Sequence, residues 1–169
     1  MSSVMPKQVK WIKSAVESFA PESNYLLLDS GKRVAYQQLI VCPGLVLNWS
    51  AVEGLEETLG KNGVTSNYSP DTATYTWELV QKLKSGTAIF TQPPMPIKCA
   101  GAPQKALYLS ADYWLKQGLL GKDIKLEFCN AGAVLLGVKE FVPALQEYMD
   151  KYQVALNYGY NLVKVDGEA

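Results

Sequence analysis

Three cysteines are the side chains of this sequence best suited to nucleophilic or redox chemistry. They stand at positions 42, 99 and 129, and the chain contains no histidine. A cysteine in this chain therefore cannot be activated by a Cys-His pair, and a zinc site is not expected. None of the three belongs to a CxxC motif, so neither a disulfide framework nor a metal ligand set is predicted.

Cys99 has the surroundings that most favour a reactive thiol. It precedes a helix predicted to begin near Pro103, and Lys98 and Lys105 flank it. The N-terminus of a helix carries partial positive charge, which together with the two lysines favours the thiolate form. Prolines at positions 93, 94 and 96 stiffen the approach to the sulfur. From spacing alone, an inert and buried Cys99 is an equally good interpretation, because free cysteines usually pack in the core.

The other two cysteines are predicted to be structural. Cys42 follows an apolar run over 39–41 that Pro43 and Gly44 terminate, and we expect this run to be a buried strand. Cys129 closes a second apolar run, over 124–128, which places it at the carboxyl edge of a parallel sheet, where ligands often bind. Core packing is nevertheless the favoured interpretation of Cys129.

The elements that must position these residues change in character along the chain. Residues 9–41 contain short β-rich runs over 9–19, 25–28 and 33–36, separated by turn residues, which predict a small antiparallel β-meander. A polar, glycine-containing connection follows to about residue 68. The remaining residues alternate between helical and strand patterns. Helices are predicted over 69–86, 103–117 and 138–152, and strands over 87–91, 124–128, 154–158 and 162–165.

Two prolines locate helix starts in this second part. Ser69-Pro70-Asp71 combines an N-cap residue, a proline suited to the first helical position and an early acid. Pro143 fits the last helix only if that helix begins close by. The alternation of elements predicts an α/β fold, with a Rossmann-like parallel sheet flanked by helices and preceded by the meander.

The two strand-to-helix turns of this sheet lack the glycine pattern that binds a dinucleotide. The turn over 92–102 has three prolines and one glycine, and the turn over 130–137 has two glycines at the wrong spacing. A GxGxxG turn is needed for the backbone to approach a pyrophosphate at a helix N-terminus. We therefore expect a Rossmann-like shape without its usual ligand.

Composition leaves nucleic acid or anionic lipid possible as a partner only through local patches of charge. The chain has 169 residues, 48% of them hydrophobic, which is enough for a compact core. Sixteen basic and sixteen acidic residues cancel, so no net field attracts nucleic acid or anionic lipid. No apolar run reaches the roughly 18 residues of a spanning helix, and the first residues lack the features of a signal peptide. The chain is expected to be soluble.

Four segments together resemble the sulfide:quinone oxidoreductases, and this resemblance covers almost the whole chain. The motif over 98–105 is highly specific, whereas the strand ending in Pro-Gly is shared by many flavoproteins with two dinucleotide-binding folds. The segments are Val9-Lys10-Trp11-Ile12-Lys13, Leu39-Ile40-Val41-Cys42-Pro43-Gly44, Gly63-Val64-Thr65-Ser66-Asn67-Tyr68-Ser69 and Lys98-Cys99-Ala100-Gly101-Ala102-Pro103-Gln104-Lys105.

The resemblance implies an enzyme that oxidises hydrogen sulfide to sulfane sulfur and passes electrons through FAD to a membrane quinone. Cys99 corresponds to a cysteine that carries a persulfide and faces the flavin, and its partner cysteine lies in a later part of the family's chain. Val16 and Gly44 correspond to positions that contact FAD. Residues 1-47 would be the meander and strand of an FAD-binding domain, and residues 48-169 a second Rossmann-like (NAD-binding-like) domain, incomplete at its C-terminus.

This resemblance also implies that the chain is a central piece of a longer protein. The glycine-rich FAD loop and the C-terminal quinone and membrane-contact elements of the family have no counterpart in it, so we expect the piece alone to be inactive. The full-length protein would be peripheral on a bacterial or mitochondrial inner membrane. A homo-oligomer is compatible with the resemblance. Two alternatives stay open: a fragment of an NAD(P)H-dependent flavoprotein reductase, and a non-catalytic Rossmann-like binding module.

Overall fold

Turn residues divide the beginning of the chain into three short strands in the computed structural model, which describes residues 4–168. Asn24 and Gly31 adopt positive φ angles of 51° and 77° at the two turns. The strands pair antiparallel in the order β1-β2-β3, as predicted. They are β1 (Val16–Ala20), β2 (Tyr25–Leu28) and β3 (Arg33–Ala35).

The predicted strand over 39–41 is wrong. Ile40 and Val41 are 88% and 55% exposed, and among residues 4–168 no strand pairs with this segment. A strand needs a neighbour for its backbone hydrogen bonds, and apolar residues alone do not supply one. Cys42 is exposed as well, so its predicted place at the end of a buried strand is also wrong.

The connection that follows contains more structure than the sequence predicted. A 3-10 turn (Trp49–Ala51) and a one-turn helix, α1 (Leu55–Thr58), precede the first long helix, α2 (Pro70–Lys82). Ser69 caps α2 as predicted, because its side chain accepts the N–H of Asp71. The chain separates into two compact units within this region, the first ending at Gly44 and the second beginning at Leu45.

Three parallel strands form the centre of the second unit. Their order is β4-β5-β6, and their ends are aligned because Gln92 pairs with Asn130, which pairs with Tyr158. Helices α3 and α4 make the crossovers, which confirms the predicted α/β fold with a Rossmann-like sheet. The elements are β4 (Gly86–Gln92), α3 (Gly101–Lys116), β5 (Ile124–Asn130), α4 (Val142–Lys151) and β6 (Val154–Tyr158).

Two details of this unit differ from prediction. Helix α4 begins at Val142, after a 3-10 turn (Lys139–Phe141), so that Pro143 lies in its first turn where no backbone N–H is required. The predicted strand over 162–165 is wrong, because only one bridge forms there, between Lys164 and Glu53. A single residue in an irregular segment cannot extend a ladder.

The core lies between one face of the sheet and the helices. Side chains of β5 alternate between buried and more exposed, and the buried ones pack against α3 and α4. Within the core, the indole N–H of Trp114 donates to the Val80 carbonyl at 2.8 Å and joins α3 to α2. None of the described helices is both long and apolar enough to cross a bilayer. The two core clusters are Val80, Ala111, Trp114, Ile124, Leu126 and Tyr152, and Leu107, Phe128, Leu135 and Met149.

Candidate functional site

Cys99 lies in the loop that connects β4 to α3, and it is exposed. Helix α3 begins at Gly101, two residues after the cysteine and earlier than the predicted start at Pro103. A Cβ atom placed on Gly101 would lie 3.8 Å from Cys99 Sγ. The sulfur is therefore beside the first residue of α3, as the sequence predicted, and solvent reaches it.

The first turn of α3 presents positive charge to this sulfur. Its N-cap residue, Ala100, provides no side-chain acceptor, so the N–H dipoles of the first turn are not offset by a cap. Lys98 and Lys105 are exposed, and neither takes part in the ion pairs found among residues 4–168.

Tyr68 contacts the same loop from the segment before α2. Its phenolic O–H donates to the Cys99 carbonyl at 2.9 Å. Burial raises the pKa of Tyr68 above its ordinary value, and the negative charge on Cys99 raises it further. Sequence reasoning missed this residue as part of the site, although Tyr68 stands in one of the four segments that carry the family resemblance.

A buried polar cluster fills the carboxyl edge of the sheet, where a Rossmann fold would hold a pyrophosphate. Its members are Gln92, Asn130 and Gln104, at the ends of β4 and β5 and in the first turn of α3. Asn130 Oδ1 accepts Gln92 Nε2 at 3.3 Å and the Gly132 N–H at 2.8 Å. Gln104 Nε2 donates to the Leu135 carbonyl at 2.6 Å. The turn after β5 is thus bonded to the protein's own amides.

One atom of the polar cluster has no partner in the described part of the chain. Gln92 Oε1 is buried and accepts no hydrogen bond. The missing glycine pattern and the hydrogen bonds between the protein's own amides and the turn after β5 argue against a pyrophosphate at this edge.

The other two cysteines belong to other elements than the loop before α3. Cys129 lies within β5, between Thr91 and Asn157 on the neighbouring strands. It is half-buried, and its sulfur lies 4.0 Å from the side-chain nitrogen of Asn157. The expectation that Cys129 packs in the core is wrong, because the strand alternation turns it to the face opposite the helices. Cys42 belongs to the first unit.

The two positions predicted to contact FAD are both exposed in the first unit. Val16 is the first residue of β1 and pairs with Leu28, next to an irregularity in the register. Gly44 has a φ of 83°, and no atom lies within 4 Å of a Cβ placed on it. Its left-handed backbone favours glycine. Both residues offer backbone surface rather than a formed pocket.

Comparisons with known proteins identify relatives by sequence and by fold. No model of a known protein family matches the chain. Mitochondrial sulfide:quinone oxidoreductases match it over nearly its full length. The protein of Dictyostelium discoideum is 44% identical over 166 residues, which are 98% of this chain and 36% of that protein. The Mus musculus protein is 40% identical over 163 residues, 96% of this chain and 36% of the relative.

A more distant relative and two solved structures extend the comparison. The mitochondrial sulfide:quinone oxidoreductase of Schizosaccharomyces pombe is 33% identical over 156 residues, 90% of this chain and 34% of that protein. The crystal structure of the Aquifex aeolicus sulfide:quinone oxidoreductase superposes with a TM-score of 0.70 at 21% identity, covering 92% of this chain and 36% of that one. A chain in the cryo-EM structure of the Tetrahymena thermophila mitochondrial ATP synthase gives 0.65 at 21% identity, covering 92% of this chain and 39% of that one.

The chain spans about a third of the length of the curated relatives it matches. The two structural likenesses lie below 25% identity and show the fold alone.

Proposed function

This chain is homologous to one segment of the sulfide:quinone oxidoreductases, and we propose that it is the Cys99-bearing part of a flavoprotein that oxidises hydrogen sulfide. The product would be sulfane sulfur, and the electrons would pass through FAD to quinone. The observation that carries the proposal is the exposed Cys99 sulfur beside the uncapped first turn of α3, in a chain up to 44% identical to enzymes of this name.

The chemistry proposed for Cys99 is thiol-disulfide exchange with sulfide. Hydrosulfide attacks Cys99 Sγ in a disulfide with a second cysteine outside this chain, forming a persulfide on Cys99 and releasing the second cysteine as a thiolate. A nucleophilic acceptor then takes the outer sulfur and leaves the Cys99 thiolate. The positive end of α3 and the nearby lysines favour both anionic steps.

FAD would supply the two-electron acceptor that allows the two thiolates to re-form their disulfide. Val16 is 44% exposed and no atom lies within 4 Å of a Cβ placed on Gly44, so both positions are open to a contact with FAD, but neither lies in an enclosing cradle. The residues described here could therefore hold only part of the cofactor, and further segments must provide the rest. The filled edge of the parallel sheet disfavours the NAD(P)H-dependent alternative.

The remaining assignments follow from the same homology. Residues 1-47 would complete a FAD-binding domain, and residues 48-169 would form the second, Rossmann-like domain of the longer protein. Three relatives are named as mitochondrial enzymes, so we propose that the full-length protein is peripheral on a mitochondrial inner membrane. Sulfide and quinone would be its substrates.

The test compares two exposed cysteines of the same chain. Cys99 and Cys42 are both exposed, so both can be converted to mixed disulfides with an aromatic thiol and then treated with sulfide. Hydrosulfide attack on the cysteine sulfur releases the aromatic thiolate and leaves a persulfide at either site, so peptide mass spectrometry compares the two rates. The rate is expected to be higher at Cys99, because the N-terminus of α3 and the lysines at 98 and 105 attract the hydrosulfide anion. Equal rates at Cys99 and Cys42 would contradict the proposal and favour a non-catalytic module.

A second measurement concerns the cofactor. The purified chain is expected to retain no stoichiometric FAD after gel filtration and to reduce no quinone with sulfide. A chain that binds FAD one to one and turns over would contradict the assignment of this piece as an incomplete flavin site.

A further inference from the structure

Tyr68 reaches Cys99 from a distant part of the sequence, and we propose that it is a positioning residue for the Cys99 thiol. Its O–H donates to the Cys99 carbonyl at 2.9 Å across 31 residues of chain. The same carbonyl accepts the N–H of Ala102 at 3.2 Å, within the first turn of α3. The inference rests on the proposed function in that it concerns the same sulfur.

One further side chain holds the loop that carries Cys99, because Gln104 Nε2 donates to the Ala100 carbonyl at 3.3 Å. Pro93, Pro94 and Met95 are exposed, and so is Lys98. The bond from Ala102 is local to the turn that contains the cysteine, so it moves with the loop. Tyr68 belongs to a different segment, and its O–H therefore ties the Cys99 backbone to a separate support.

That support is itself well fixed. The backbone N–H of Tyr68 donates to Ser66 Oγ at 3.2 Å, and the next residue, Ser69, caps α2. The tyrosine thus stands at the start of a thirteen-residue helix. A donor on a fixed segment that holds the backbone of an exposed cysteine is the arrangement expected of a positioning contact.

The phenol also keeps its proton when the sulfur is charged. Both burial and the charge on Cys99 raise the pKa of Tyr68. The O–H therefore remains a donor through the neutral and mildly alkaline range in which cysteines react. The tether would hold during each anionic step at Cys99.

Replacing Tyr68 by Phe removes the tether and keeps the ring. Because Cys99 is already exposed, release of the loop adds no access, whereas the sulfur loses its place beside the first turn of α3. We expect Tyr68→Phe to slow alkylation of Cys99 by iodoacetamide about threefold or more at neutral pH. Peptide mass spectrometry follows each cysteine separately, and the rates of Cys42 and Cys129 should stay unchanged.

Tyr75→Phe is the matched control. The Tyr75 hydroxyl accepts the Gly63 N–H at 3.1 Å, so this variant also loses one tyrosine hydrogen bond at α2, but one that does not reach Cys99. Its Cys99 alkylation rate should equal that of the parent chain. An unchanged rate in Tyr68→Phe, or an equal slowing in Tyr75→Phe, would overturn the proposal.

A spectroscopic readout tests the coupling between the two residues directly. The absorbance of tyrosinate near alkaline pH, taken as the difference between each chain and its Tyr68→Phe variant, reports Tyr68 alone. Cys99→Ser removes the charge that raises the pKa of Tyr68, so the titration midpoint should fall. A midpoint that does not move would show that the two groups are uncoupled, and would overturn the proposal.

Neither measurement uses sulfide, FAD or quinone. If the persulfide experiment fails while both of these succeed, the positioning role stands and only the sulfide chemistry is lost. If the persulfide forms faster on Cys99 but these two fail, the proposed function stands without Tyr68.

Discussion

Gln104 shows at the scale of one residue how the site is stabilised. It is 1% exposed, and its side-chain nitrogen donates to the Leu135 carbonyl at 2.6 Å and the Ala100 carbonyl at 3.3 Å. The O–H of Tyr108 donates to its side-chain oxygen. One amide therefore connects the loop before α3, the turn after β5 and the body of α3.

Replacing Gln104 by Leu should lower the stability of the folded chain. The variant keeps a similar volume but leaves the Leu135 carbonyl without its buried donor, so the free energy of unfolding should fall by about 1–3 kcal/mol. Urea denaturation measures the loss. Gln146→Leu is the control, since the Gln146 amide donates only to the exposed Asp150 carboxylate, and its effect should stay within about 0.5 kcal/mol. Equal effects would contradict the role given to Gln104.

The raised pKa of Tyr108 leads us to expect that the free energy of unfolding falls at alkaline pH. Burial, and to a lesser extent the charge of Tyr158, raises the pKa of Tyr108 from 10.0 to about 12. A raised pKa means that the folded chain binds the proton more tightly than the unfolded chain. The protonated Tyr108 side chain therefore contributes fully to stability below pH 10, and this contribution is lost as the pH rises towards 12. Tyr108→Phe should therefore show a smaller decrease in unfolding free energy across this window.

The control for this titration is a tyrosine on the surface. Tyr160 is 61% exposed, so Tyr160→Phe should reproduce the decrease of the parent chain when urea unfolding is followed from pH 9 to about 12. Parallel curves for the parent chain and Tyr108→Phe would show that the Tyr108 proton does not contribute.

Individual residues of the site were predictable when their own chemistry marked them. Cys99 is a candidate from the sequence because a thiol, two lysines and a helix start stand next to one another. Tyr68 and Gln104 are not, because their roles depend on which carbonyl lies opposite them in space. A tyrosine and a glutamine have the same local sequence signal whether or not a distant acceptor faces them.

At the scale of elements, one buried indole forms a hydrogen bond between α3 and α2. Trp114 is 2% exposed, and its N–H donates to the carbonyl of Val80 in the last turn of α2, where the helix itself leaves carbonyls unpaired. Trp114→Phe should lower the free energy of unfolding by about 2–3 kcal/mol, through the smaller ring and the unpaired carbonyl.

A second tryptophan provides the comparison. Trp77 lies on α2 but is 49% exposed, with its ring edge-on to Tyr113 at 5.2 Å. Trp77→Phe should cost no more than about 1 kcal/mol in urea denaturation. A cost at Trp77 equal to that at Trp114 would mean that the indole hydrogen bond does not join the two helices.

Elements with two agreeing signals were predicted correctly, and those with one were not. Helix α2 has both a helical spacing of apolar residues and a capping serine. Strand β5 has both an apolar run and a place between two predicted helices. The segments over 39–41 and 162–165 have apolar residues only. Whether such a run becomes a strand depends on a neighbouring strand, which local sequence does not specify.

The two units of the chain bury very different numbers of apolar side chains. Among residues 4–44, Leu28 is the one buried apolar residue, whereas the second unit contains both core clusters. Homology extends through both units, since the relative from Dictyostelium discoideum aligns with 98% of the chain. The meander is thus part of the conserved segment, although little apolar packing holds it.

This inequality predicts two levels of stability. Amide hydrogens of β1, β2 and β3 should exchange about 100-fold faster than those of the central strand β5, because local unfolding requires little where few apolar groups are buried. Hydrogen exchange followed by peptide mass spectrometry measures both in one experiment. Equal protection in the two units would contradict the prediction and would mean that they unfold as one.

Leu28 offers the sharpest test of that difference. Leu28→Ala removes the one buried apolar side chain of the first unit, so protection in its three strands should disappear while that of β5 persists. Leu27→Ala is the matched control, because Leu27 is half-buried in the same strand, and it should lower the protection only in part. If Leu28→Ala also removed protection from β5, the stability of the second unit would depend on the meander, and the Rossmann-like part that carries Cys99 could not be stable by itself.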